Sequence, residues 1–192
     1  MKFLAVTAAS LLSLSAVSAA TNSTGEFHLK TKLLEPKSDG RARFNNLIVY
    51  SCNPKGILPE FDICLSTEPT EDKYWSTSKI HYNETDGKVA FKIPDEPDSY
   101  WTLNFPPADS TGRIGWSPVV INNATTENDF LGIVMAEDKG LVATWPPFLG
   151  WMVCYWNLEI PQLFWRTSAW GEFDNKYVPR DCANVELQVE YI

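Results

Sequence analysis

Histidine is nearly absent from this 192-residue chain, which has only His28 and His81, and cysteine occurs only four times. Zinc sites, hydrolytic triads and nucleotide loops draw on defined spacings, and none occurs here. There is no Cys-x-x-Cys, His-Glu-x-x-His, Gly-x-Ser-x-Gly, P-loop or dinucleotide fingerprint. Both histidines fall on the polar side of alternating segments, where a solvent-facing strand residue is the plain reading. The sequence therefore assigns no catalytic residue, no metal ligand and no cofactor. A basic cluster is missing as well. Lys30, Lys32, Lys37, Arg41 and Arg43 are interrupted by Glu35 and Asp39, and the formal net charge is −8, which excludes nucleic acid as a partner. No window of about ten residues shows apolar side chains at helical spacing, and past the N-terminus no apolar run would span a bilayer.

The N-terminus has the pattern of a secretory signal over residues 1–20. Lys2 supplies the positive charge, Phe3 to Leu14 the apolar region, and Val17-Ser18-Ala19 the small-residue cleavage site. Cleavage there leaves a single domain, 21–192, with 15 Lys and Arg against 24 Asp and Glu. The expected localisation is extracellular, in soluble form and without a membrane partner. Three sequons agree with export: Asn22-Ser23-Thr24, Asn83-Glu84-Thr85 and Asn123-Ala124-Thr125. So does the even cysteine count. Of the three open connectivities, Cys52–Cys64 with Cys154–Cys182 is favoured, because Cys52 and Cys64 would staple an irregular loop containing Pro54, Gly56 and Pro59.

What remains is a chain of short alternating segments punctuated by turn residues. Phe27 to Leu33, Phe44 to Cys52, Asp62 to Ser66, Tyr74 to Asn83, Lys88 to Ile93 and Tyr100 to Asn104 read as strands, with a hairpin at Asp86-Gly87. Gly115 to Ile121, Phe130 to Met135, Gly140 to Trp145 and Val185 to Tyr191 follow. The chain is organised around Gly150 to Arg166, GWMVCYWNLEIPQLFWR. As a strand, residues 151–156 would be apolar on both faces, so this element needs cover on both sides and belongs near the centre. About ten short strands without helices predict an all-β, single-domain antiparallel barrel or sandwich with two disulfides.

Eight tryptophans are the other conspicuous feature. Trp151, Trp156 and Trp165 sit in apolar surroundings and are expected in the core, and Trp116 and Trp145 read as strand-end packing residues. Trp75, Trp101 and Trp170 lie among polar residues near loops and are the expected ligand-contacting platform. Carboxylates offer the enzymatic alternative, a jelly-roll glycoside hydrolase. Glu186 and Glu190, however, stand about 13 Å apart along one strand, beyond the roughly 5–9.5 Å such pairs need. The reading thus points away from an enzyme and toward a secreted non-enzymatic binder of a small apolar or sugar ligand. A surface or host-interaction, effector-like role is the third reading.

GWMVCYW followed by PQLFW, with the later Pro-Arg-Asp-Cys-Ala, FHLKTKLL, RFNNLIVYSC and a terminal alternating strand, resembles a family of small secreted fungal proteins. The domain that defines that family has no assigned function. The resemblance covers most of the mature chain. It implies an exported β domain with a Cys154–Cys182-type bridge and supplies no catalytic residues. Members often carry glycine near Leu158-Glu159, and this chain does not.

Overall fold

The computed structural model describes residues 25–34, 40–52, 60–68, 76–83, 88–93, 100–105, 115–122, 133–136, 140–144, 148–156, 159–167 and 178–192. Thirteen strands occur among them, with one 3₁₀ turn at Arg41–Phe44 and no α-helix. The first six are β1 (Phe27–Leu33), β2 (Ile48–Cys52), β3 (Glu60–Ser66), β4 (Ile80–Asn83), β5 (Lys88–Lys92) and β6 (Tyr100–Asn104). Then come β7 (Trp116–Pro118), β8 (Val120–Asn122), β9 (Ile133–Ala136), β10 (Gly140–Ala143), β11 (Phe148–Tyr155), β12 (Pro161–Thr167) and β13 (Cys182–Tyr191).

Nine of these close into an antiparallel barrel in the order β1-β4-β5-β6-β8-β3-β12-β11-β13, where β13 returns to β1 over seven residue pairs. Closure removes the exposed edges that an open sheet of this size would carry. β2 pairs with both β1 and β3 and so ties together two ring members that are not neighbours. β7 lies against β12, and the β9–β10 hairpin adds to β13 through a parallel contact. The fold class read from the sequence is borne out, and the barrel is the form it takes.

Alternation fills the interior. Phe27, Leu29, Ile63, Phe91, Trp151 and Trp165 belong to one continuous core cluster. β11 meets the expectation for a two-sided strand: Trp151 and Val153 face that core, while Met152 and Cys154 join a second cluster with Trp116, Phe164 and Cys182 on the outer side. Both disulfides form as expected, Cys52–Cys64 and Cys154–Cys182.

Several expected strands differ in extent; Tyr74 to Asn83, for one, is strand only from Ile80, residues 76–79 being irregular. Phe44 to Cys52 is strand only from Ile48, because Asn46 takes φ 59 and turns the chain, and asparagine tolerates that left-handed backbone better than most residues. Thr31, buried in β1, secures the turn: its Oγ1 donates to the Phe44 carbonyl at 2.6 Å and accepts from Leu47 N at 3.0 Å. Gly115 to Ile121 is two strands, not one. Pro118 has no N–H to continue a ladder, so β7 ends on β12 and the chain moves to β8, between β3 and β6. The aromatic stretch is a hairpin, with PQLFWR forming β12 against β11.

Gly140 opens β10 at φ +67, and a Cβ built there would lie 1.9 Å from the backbone oxygen of Leu187 in β13. Gly140→Ala is expected to cost about 1–2 kcal/mol for the left-handed backbone and about 1–3 kcal/mol for the overpacked contact. Urea denaturation of the variant checks this, and an unchanged midpoint would mean that β10 does not approach β13 this closely.

Candidate functional site

The outer face of β12 and β11 is built by strand parity. Leu163 and Trp165 turn into the barrel, which leaves Gln162, Phe164 and Arg166 outside, opposite Cys154, Met152 and Gly150 of β11. β7 covers part of this face and contributes Trp116, which pairs with Arg166 in register. Trp116 and Phe164 pack edge to face, with centroids 4.9 Å apart at 86°. Trp156, the residue that follows β11, stands on this base. Its ring is 5.0 Å from Trp116 at 88° and 6.3 Å from Phe164 at 75°.

Trp116 and Phe164 are buried, but Trp156 is 56% exposed. It is a rigidly backed aromatic facing solvent, since the Cys154–Cys182 bridge lies in the cluster beneath it. Both neighbours meet Trp156 at steep angles, so neither is stacked parallel on its π face, and edge-to-face contacts hold the indole in one orientation.

Polar groups accompany the aromatics. Arg166 is 9% exposed and donates from Nη1 to Asn184 Oδ1 at 3.1 Å, and burial pushes its guanidinium below the ordinary arginine range. Gln162 is 4% exposed, and its Oε1 is buried with no hydrogen-bond donor among the described residues. It sits between the two disulfides in register, opposite Cys64 on one side and Cys154 on the other. On the other side of β11, Tyr155 is exposed beside the Arg43 guanidinium, 4.8 Å from the ring centroid, and Arg43 also reaches Asp181 at 3.5 Å.

The platform anticipated from the sequence is placed differently. Trp101 is 5% exposed and part of the core, because β6 alternates with Tyr100 outward and Trp101 and Leu103 inward. The polar neighbours that suggested exposure are the outward half of that alternation. Trp75 and Trp170 lie outside the described residues, as do Asn22 and Asn123. The backbone of Asn83 ends β4 opposite Lys88 of β5.

His28 Nδ1 is 3.0 Å from the Ser78 carbonyl, and His81 packs against Tyr100 with centroids 5.8 Å apart. Glu186 and Glu190 form cross-strand ion pairs with Lys32 and Lys30. Among the described residues no group of three or more His, Cys, Asp or Glu could hold a metal ion. Trp151 and Trp165 are in the core as expected, but Trp156 is not. Its apolar neighbours pointed inward in the reading, although its position at the end of the strand, next to Asn157, was the signal of exposure.

The model of a domain of unknown function, DUF7907, matches residues 24–191. The chain belongs to that family. The match covers every strand of the barrel, so the DUF7907 domain is the whole β structure together with the hairpin and cap strands outside the ring. No curated protein matches the chain. No solved structure matches it either.

Proposed function

We propose that this DUF7907 protein is an exported, non-enzymatic binding protein that presents Trp156 to a small sugar or apolar ligand. The observation that carries the reading is the exposure of Trp156 on a fixed aromatic base, since an indole left 56% in water gives up burial that the core could have supplied. Trp116, Phe164 and the Cys154–Cys182 bridge hold the ring before any ligand arrives, which lowers the ordering cost of binding. Two disulfides and the leader-like first twenty residues support an oxidising, extracellular setting.

The test is intrinsic tryptophan fluorescence of the purified protein, titrated with neutral and acidic glycans and with lipids. Binding at the platform is expected to shift emission to the blue, and Trp156→Ala is expected to weaken it roughly tenfold or more, about 1.4 kcal/mol. If no glycan or lipid changes the emission, the binder reading fails and a host-interaction surface takes its place. Release of cleaved sugar during the titration would instead establish a hydrolase.

A further inference from the structure

The end of the sheet that carries Trp156 also carries a cation, Arg180, that forms no ion pair among the described residues. β11 and β13 are in register from Trp151 opposite Val185 to Cys154 opposite Cys182, and Tyr155 N continues the pairing by donating to the Asp181 carbonyl at 3.0 Å. Trp156 and Arg180 are the next residues outward along the backbone from this pair. Arg180 sits in a turn closed by Cys182 N donating to the Pro179 carbonyl at 3.0 Å, so its backbone is anchored to the disulfide beneath the platform.

Among the described residues Arg41, Arg43 and Asp181 at this end are engaged. Asp181 pairs with Arg43, whose guanidinium packs on the Tyr155 and Phe44 rings, and Arg41 donates from Nη2 to the Val178 carbonyl at 3.5 Å. Glu159, in the turn after Trp156, is exposed at φ 58. Arg180 is exposed and forms no ion pair or hydrogen bond among the described residues.

An exposed planar aromatic and an exposed guanidinium, brought by backbone pairing to the same end of the sheet, suit a ligand with a flat apolar face and a carboxylate. A guanidinium binds carboxylate through two parallel hydrogen bonds, which fixes orientation as well as charge. We propose that the ligand is an acidic sugar, a uronic acid unit whose ring stacks on Trp156 and whose carboxylate pairs with Arg180. This rests on the binding reading above and adds the chemical class of its ligand. The protein as a whole is acidic, at net −8, and opposes anion binding everywhere except where cations gather locally. Arg41, Arg43 and Arg180 against Asp181 and Glu159 make this end such a place.

The experiment titrates the full disulfide-bonded protein with a uronic acid oligosaccharide and with its methyl ester, which keeps the ring and removes the charge. The wild type is expected to bind the acid at least tenfold more tightly than the ester, with the difference shrinking as salt rises. Arg180→Gln should abolish that preference, Arg180→Lys should restore part of it, and Trp156→Ala should weaken both ligands. Melting temperature and far-UV circular dichroism establish that each variant is folded. Equal affinity for acid and ester, or an unaltered preference in Arg180→Gln, overturns the acidic-sugar proposal while the binding reading stands. Binding of neither ligand, with emission unmoved by the rest of the glycan and lipid panel, overturns both.

Discussion

Trp165→Ala is expected to lower folding stability by about 3–5 kcal/mol, the cost of truncating a large aromatic in a close-packed core. Trp165 is 1% exposed, lies directly opposite Trp151 across the β11–β12 ladder, and packs edge to face on Phe105 with centroids 5.9 Å apart. Phe105 in turn meets Trp151 at 5.7 Å, so the three rings form one unit inside the barrel. The loss is a large part of the roughly 5–15 kcal/mol that ordinary domains have in total. Guanidinium denaturation gives the value, and Trp165→Phe should recover a substantial part because a ring still fills most of the space. A midpoint in Trp165→Ala within error of the wild type would mean that this ring is not in the core.

Loss of the Cys154–Cys182 bridge should be comparably severe, and worse than loss of Cys52–Cys64. Chain entropy predicts roughly 3.6 kcal/mol for the longer loop and roughly 2.8 kcal/mol for the shorter. Packing widens the gap. The first bridge joins adjacent ring strands beneath Trp116 and Phe164, so serine there leaves a polar group in an apolar cluster. The second staples one hairpin whose β2–β3 ladder already has five residue pairs. Thermal melts of the Cys154→Ser/Cys182→Ser and Cys52→Ser/Cys64→Ser pairs under oxidising conditions compare them directly. The first pair should also alter Trp156 emission by removing the support of its platform. Equal melting temperatures with identical emission would show that the outer cluster holds without its bridge.

The class of fold was legible because a strand writes itself as a period of two. β1 and β6 lie where alternation places them, β13 begins three residues earlier than expected, at Cys182, and the two-sided apolarity of GWMVCY indicated a strand covered on both faces, as β11 is. The disulfides were legible from a turn-rich loop and an even count. Segment ends were less so. Nothing local says that Asn46 turns left-handed, or that the chain changes neighbours at Pro118, because both depend on which strands lie alongside. The candidate site was the least legible part. Trp101 and Trp156 exchange the roles that their immediate neighbours suggested, since exposure depends on what another segment lays over a residue and not on its own flanks.

The sequence by itself determined that this is an all-β chain with two bridges and a central strand in need of cover, because periodicity, turn residues and cysteine count are properties of neighbouring positions. Only the tertiary structure decided that the sheet closes as a nine-stranded barrel, that β7 crosses over to shield β12, and that Trp156 is left standing in solvent. Those outcomes rest on contacts between segments far apart in the chain, which are set by which faces can be buried together and are encoded in no single stretch.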